Sequence, residues 1–250
     1  DFLNKPLVFN TKTTSAARDL FYTYDALSHF QASNIKQQEG TKSLRTADFI
    51  ELQALGKAIA LTNPAAVDAS KFCTPLPATP QSSVVLVDEI DKAPRDFTND
   101  ILDEIENYRF AIKEQDGYLV EKSPDRQILV LMTSNSEKNL PDPFLRRCVF
   151  YHIPFPSPEL LREIVKTQLG ESTTFTGKWL DELIEKFQTV RRRAVRKPPA
   201  TAELIAWLRI LELQKFMEQS EQRQRQQMLD NLAILVKTKE DLEAVRGVFL

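Results

Sequence analysis

The sequence predicts an α/β fold: a parallel sheet with helices in its connections, followed by an all-helical domain. Three observations carry this. Val84-Val85-Leu86-Val87 is continuously apolar, as a central parallel strand covered on both faces is, and "QILVLMTSN" (127–135) reads as a second buried strand that ends in polar residues. Helical periodicity fills much of the sequence before and between them. After "PFPSP" (154–158) the strand-like runs stop and only helical periodicity remains, the order expected of an α/β layer with a helical domain appended. The division this implies is 1–156 for the α/β core and 157–250 for the helical part.

Each element has its own warrant. "PLVFN" (6–10) reads as a short buried strand that ends in the Thr/Ser-rich turn "TKTTS". Residues 15–34 read as a helix with Ser15 as N-cap and Leu20, Tyr24 and Leu27 at helical spacing. Residues 46–64 read as a second helix, stopped at Asn63-Pro64. "CTPLPATPQSS" (73–83) reads as an exposed connection. Residues 95–108 read as one helix with Phe97, Ile101, Ile105 and Tyr108 on a face, and 109–122 as a hairpin turning at Asp116-Gly117. "FYHIPF" (150–155) reads as a third buried strand after "VVLV" and "QILVLMTSN". The four helical stretches that follow include the polar "EQSEQRQRQQ" (218–227), expected to be a solvated face or loop.

The totals bound the function. With 250 residues, 42% of them hydrophobic, the chain can bury a sizeable core. A net charge of −2 supplies no global field to recruit nucleic acid or an acidic membrane. The basic stretch "RRRAVRK" (191–197) lacks interleaved aromatics and reads as a solvated helix end, so nucleic acid is not the expected partner. Cys73, Cys148, His29 and His152 have no zinc-ligand spacing, and two isolated cysteines suit a reducing cytosol. Neither a membrane-spanning run nor a signal peptide is present in the sequence. The chain opens without Met, almost directly in a strand-like run, and the expectation is that an upstream segment is missing.

Chemistry concentrates at one strand end. "VVLV" stops at Asp88, Glu89 and Asp91. Ligands of open α/β sheets bind beyond the carboxyl ends of the strands. There Asp88 can orient magnesium through its water shell and Glu89 can polarise a water for attack on a γ-phosphate. Taken alone, an Asp-Glu pair after four apolar residues is more often a helix cap with solvated acids. Asn135, at the tip of the next strand, can hold a water or a phosphate oxygen, or can simply end the strand. Arg146 and Arg147 in "LPDPFLRRCVF" (140–150) can answer charge on a phosphate, or can pair with surface carboxylates.

Taken together and in this order, "VVLVDEIDKAPRDFTNDILDEIE", the hairpin before "ILVLMTSN", and "LPDPFLRRCVFYHIPFP" resemble the AAA+ ATPases, and in detail the MoxR branch. The resemblance runs from "PLVFNTKTTSAARDLFYTYDAL" to "PPATAELIAWLRIL", most of the chain. It implies a three-layer αβα core and a helical lid. It also implies ATP and Mg2+ as cofactors: Asp88 would organise magnesium, Glu89 would activate water and Asn135 would be sensor 1. Arg147 would be the finger reaching a neighbour's nucleotide, with Arg146 beside it or sharing the role. The hairpin 109–122 would be the insertion before sensor 1, with a further insertion within 40–64. The resemblance further implies a cytoplasmic homo-oligomer, a hexameric ring, that works with a von Willebrand factor A-domain protein or another protein client. Its product would be the remodelling or maturation of a protein complex.

Two departures stand out. A phosphate loop needs G-x-x-x-x-G-K-[ST], and the six glycines do not supply it; "GTKS" (40–43) lacks the upstream glycine. In the family that loop comes just before a segment like "NKPLVFN", so the phosphate loop is expected upstream, truncated away or never part of this chain. The lid's sensor-2 cation also has no clear match, Arg196 and Lys197 being nearest. An ATPase-inactive body that serves as a protein-interaction module is the alternative function.

Overall fold

The computed structural model describes residues 5–39, 44–135, 138–170 and 173–248; "GTKS" (40–43) lies outside them. The chain divides into two compact units, Asp1–Tyr151 and His152–Leu250. The division falls a few residues before the 156/157 boundary read from the sequence.

The first unit is mixed α/β. β1 (Leu7–Asn10) is followed by β2 (Tyr22–Tyr24), α1 (Ala26–Glu39), β3 (Ile50–Leu52) and α2 (Ala54–Thr62). Then come β4 (Ser83–Asp88), the short helices α3 (Phe97–Asp100) and α4 (Leu102–Asn107), β5 (Arg109–Ile112), β6 (Tyr118–Glu121), β7 (Ile128–Met132) and α5 (Asp142–Leu145). β1, β4 and β7 form a parallel sheet in that spatial order, with Asn10 opposite Asp88 and Val87 opposite Met132. β2–β3 and β5–β6 are antiparallel pairs. The β5–β6 hairpin turns where Asp116 and Gly117 both take positive φ, 55° and 72°.

Winding explains which face of the sheet is covered. Both crossovers, β1 to β4 and β4 to β7, step the same way across the sheet. Right-handed connections then place both on one face. That face carries α2, packed on β1 and β4, and Phe97 of α3, stacked on Phe9 at 6.3 Å. Val85, Val87, Leu55, Ile59 and Ile101 are buried there. The opposite face carries Val8, Leu129 and Leu131, which are 48%, 51% and 49% exposed. On that face Leu129 and Leu131 of β7 are therefore exposed rather than buried, while Val84 and Leu86 of β4 are half-buried. A right-handed connection that stepped the opposite way across the sheet would place its helix on the other face.

Several sequence expectations give way here. Within 15–34 the chain forms a 3-10 turn and strand β2 before α1 begins, because Tyr22 and Tyr24 alternate against Ile50–Leu52. Ser15 caps no helix; its hydroxyl accepts from Lys12 N at 2.9 Å and closes a turn. Residues 46–64 likewise split into a 3-10 turn, β3 and α2. The stretch 95–108 breaks at Ile101, whose ψ of 1° leaves the helical range, and ends with Tyr108 in the left-handed region. Residues 150–155 form no strand: Phe150, Tyr151 and Ile153 are exposed and have no ladder partner, and a strand exists only through a neighbour's hydrogen bonds. The connection 73–83 is not wholly exposed either, since Thr74 is buried and its hydroxyl accepts from Leu52 N at 2.7 Å.

One glycine is dictated by contact. Gly56 lies where α2 meets the chain entering β2, and a Cβ there would sit 2.0 Å from the Phe21 carbonyl oxygen. The same carbonyl accepts from Gln53 N at 2.8 Å, so it cannot easily withdraw.

The second unit is helical: α6 (Pro158–Leu169), α7 (Gly177–Arg193), α8 (Thr201–Leu213), α9 (Glu221–Asp230), α10 (Leu232–Leu235) and α11 (Lys239–Val245). Ser157 caps α6, accepting from Leu160 N, and Gly170 ends it at φ 85°. Leu161, Phe175, Phe187, Trp207 and Leu211 are buried in its core. The polar stretch 218–227 is not simply a solvated face. Gln224 and Gln227 are buried, their amides donating to the Phe216 and Gln214 carbonyls. Asp241 is also buried and accepts from the backbone N–H groups of Arg196 and Lys197, which fixes the basic loop after α7. Among the described residues no helix is long and apolar enough to cross a membrane.

Candidate functional site

The parallel register brings three strand ends together, and the side chains there are polar. Asn10 ends β1, Asp88 ends β4, and Thr133 follows β7. The ladder continues beyond the strands: Thr11 N donates to Asp88 O at 3.1 Å, Thr133 N to Val87 O at 3.0 Å and Ile90 N to Thr133 O at 2.9 Å. Carbonyls and amides at this edge are thus fixed by the sheet, and the side chains inherit that order.

Thr133 joins the two acids. Its hydroxyl donates to Asp88 Oδ1 at 2.5 Å and accepts from the Glu89 backbone N–H at 2.8 Å. One hydroxyl therefore uses its donor and one acceptor position to tie a side chain to the next residue's backbone. The bond to Glu89 N supports an unusual conformation, since Glu89 is a non-glycine residue at φ 54°, ψ 52°. That left-handed turn ends the strand and throws the Glu89 side chain back over the tip of β7. There Asn135 Nδ2 donates to Glu89 Oε1 at 3.0 Å, and Lys92 Nζ ion-pairs with Glu89 Oε2.

The structure thus brings Asp88, Glu89 and Asn135 into one hydrogen-bonded group. It does not join Arg146 or Arg147 to that group. Arg147 follows α5, where its Nε pairs with Glu106 Oε2 at 3.1 Å and its Nη1 donates to Pro143 O at 2.9 Å. Arg146 is exposed on the same turn. Asp91, the third acid of the run, is buried within the 3-10 turn Ile90–Lys92. Sequence reading missed Thr133 and Lys92. The signal for Thr133 was a hydroxyl residue directly after an apolar strand; for Lys92 it was a cation three residues beyond Glu89, a spacing that meets across one turn.

The donor set can be tested against magnesium and a triphosphate. Among the described residues no cluster of three or more His, Cys, Asp or Glu forms a cage for a metal. Magnesium does not require one, since it takes one or two carboxylates and completes its shell with waters and phosphate oxygens. Asp88, with the neighbouring hydroxyl of Thr133, is an all-oxygen group of that kind, and it fits. The phosphates themselves lack a cradle here, because no G-x-x-x-x-G-K-[ST] occurs in the sequence.

No protein-family model matches the chain, and no curated protein matches it in sequence.

Proposed function

We propose that this chain is the body of an AAA+ ATPase subunit of the MoxR type, which couples ATP hydrolysis to remodelling or maturation of a protein complex. The observation that carries the reading is the hydrogen-bonded group Asp88–Thr133–Glu89–Asn135 at the carboxyl end of a parallel sheet. In this reading Asp88 would hold Mg2+ through its water shell, and Mg2+ would neutralise charge on the phosphoryl group that ATP supplies. Glu89 takes the proton of the attacking water at a carboxylate oxygen. Asn135 orients Glu89 or the water by its amide. Arg147 leaves Glu106 to reach the nucleotide of a neighbouring subunit, with Arg146 beside it, so turnover requires a homo-oligomer, a hexameric ring in this family. A cytoplasmic setting and a von Willebrand factor A-domain partner or other protein client belong to the same proposal. The reading needs a phosphate-cradling loop, and G-x-x-x-x-G-K-[ST] does not occur in these 250 residues.

That requirement leaves one rival, an ATPase-inactive AAA+ body that acts as an interaction module. Steady-state ATP turnover by the full gene product separates them. The ATPase reading expects turnover that Glu89→Gln abolishes while nucleotide binding persists, because an amide cannot accept the proton. Turnover by Glu89→Gln at the wild-type rate would refute the assignment of Glu89. A full gene product that neither binds nor hydrolyses ATP would leave the interaction module.

A further inference from the structure

Lys138 lies between β7 and α5, three residues beyond Asn135. Its Nζ donates to the carbonyls of Lys92 and Ala93, each at 3.2 Å. These carbonyls close the 3-10 turn Ile90–Lys92 that follows Glu89. A turn this short leaves its last carbonyls without N–H donors of its own, and a lysine can supply them. Pro94 comes next and has no N–H to give, and neither carbonyl accepts a backbone N–H among the described residues. The other end of the turn is held by β7 and the residue after it: Ile90 N donates to Thr133 O at 2.9 Å, and Glu89 N to the Thr133 hydroxyl at 2.8 Å. Thr133 thus fixes the start of the turn and Lys138 its end.

The segment that carries Lys138 leads on to the arginines. Asn139, Leu140 and Pro141 line one cleft of about 270 Å³ together with Asp91, Arg95 and Thr98, so the turn and this segment do not close on each other by packing alone. Lys138 bridges them. α5 follows at Asp142, anchored by buried Phe144, and Arg146 and Arg147 come directly after it. Within one subunit, therefore, Lys138 joins the turn behind Glu89 to the segment that ends in Arg147. The direction of the Glu89 side chain depends on that turn, because its own backbone sits at φ 54°, ψ 52°. A turn fixed at one end only can swing, and a displacement of about 1 Å at a reacting group can cost on the order of 10²-fold in rate.

We propose that Lys138 is a positioning residue: it fixes the turn behind Glu89 in working geometry, from the segment that bears Arg147. The proposal rests on the reading of Glu89 as the group that activates water. It gives Lys138 no contact with nucleotide, so its loss should fall on kcat rather than on KM.

Two measurements test it. The first needs no nucleotide: amide hydrogen exchange on the 250-residue chain, followed by NMR. Lys92 N and Ala93 N close the turn on Glu89 O and Ile90 O, at 2.9 and 3.2 Å. Lys138 is exposed, so its substitution leaves the core as it is. In Lys138→Met the amides of Lys92 and Ala93 should exchange several-fold faster, while that of Thr133, bonded to Val87 O at 3.0 Å, keeps its wild-type rate. Lys138→Arg keeps a cation within reach and should restore the protection. Wild-type exchange of Lys92 and Ala93 in Lys138→Met overturns the proposal. The second is ATP turnover by the full gene product. Lys138→Met should lower kcat several-fold at constant KM, and Lys138→Arg should recover most of it. An unchanged kcat in Lys138→Met, or a loss confined to KM, overturns the proposal, and an inactive Glu89→Gln then leaves the water-activating role standing. Wild-type turnover by Glu89→Gln overturns that role, and the proposal with it.

Discussion

Thr133→Val removes the hydroxyl that ties the acidic tip together and keeps nearly the same side-chain volume. Two bonds go: the donation to Asp88 Oδ1 at 2.5 Å and the acceptance from Glu89 N at 2.8 Å. A hydrogen bond to a charged group is worth about 1.5–3 kcal/mol and a neutral one about 0.5–1.5 kcal/mol. Both groups are open to solvent, and water replaces much of what is lost. The left-handed backbone of Glu89, which loses its support, adds cost in the other direction. The net expectation is about 1–2 kcal/mol of destabilisation, near the lower ends of those ranges. For a unit of this size that lowers Tm by about 3–6 °C. Both tryptophans, Trp179 and Trp207, lie in the second unit, so their fluorescence does not report on the site. The local assay is amide exchange at Glu89 N–H, which should quicken about tenfold for each 1.4 kcal/mol lost. Thr133→Ser, which restores the hydroxyl, should recover the protection. If Thr133→Val leaves Tm and Glu89 exchange at their wild-type values, Thr133 does not organise the tip.

Two further predictions concern the frame on which the site stands. Gly56→Ala gains helix propensity of about 1 kcal/mol but drives a Cβ to 2.0 Å from the Phe21 carbonyl, so backbone must move. The clash should win, with a net loss of about 1–3 kcal/mol in urea unfolding of the first unit, and a stabilised variant would contradict the packing described. In the second unit, burial opposes ionisation of Asp241, but bonds from the backbone of Arg196 and Lys197, with Thr238 and Val195, hold its carboxyl below the usual range. A carboxyl with a depressed folded-state value contributes stability above its unfolded value of about 3.9 and loses it as pH falls through the folded one. Asp241→Asn should therefore lower the tryptophan-detected Tm at pH 7 and flatten its fall below about pH 4, and an unchanged acid limb would count against this account.

Some of this structure was legible because local chemistry and tertiary context agree. Asp116-Gly117 carries its own turn chemistry, and the hairpin forms around it. Ser157-Pro158 marks the start of α6 by a side-chain cap and a residue suited to the first turn. The acid-tipped run 84–89 reads as a strand end because the apolar stretch stops abruptly. Other elements depend on partners that a sequence does not display. Leu20, Tyr24 and Leu27 fit helical spacing, yet pairing with Ile50–Leu52 makes a strand of 22–24 and leaves Leu27 exposed. "FYHIPF" has strand composition and no neighbour. The bare sheet face was invisible for a related reason: Leu129 and Leu131 look like core residues, and only the direction of winding shows which face the helices occupy. At the site, Asp88, Glu89 and Asn135 were legible from strand ends, whereas Thr133 and Lys92 act through a left-handed turn that no motif announces. Gln224 and Gln227 read as solvated until the carbonyls they satisfy come into view.

The most direct test of the ATPase account is a mixing experiment with two full-length proteins, Glu89→Gln and Arg147→Ala. An arginine acting in trans is worth about 10³–10⁵ in rate, so each protein alone should be nearly silent in ATP hydrolysis. On this account co-assembled rings would contain interfaces where an intact Glu89 faces a neighbour's intact Arg147. The account predicts that ATP turnover returns on mixing, in proportion to such interfaces. A mixture that co-assembles and stays silent would contradict it, and would leave Arg147 as the ion-pair partner of Glu106 seen in the single chain.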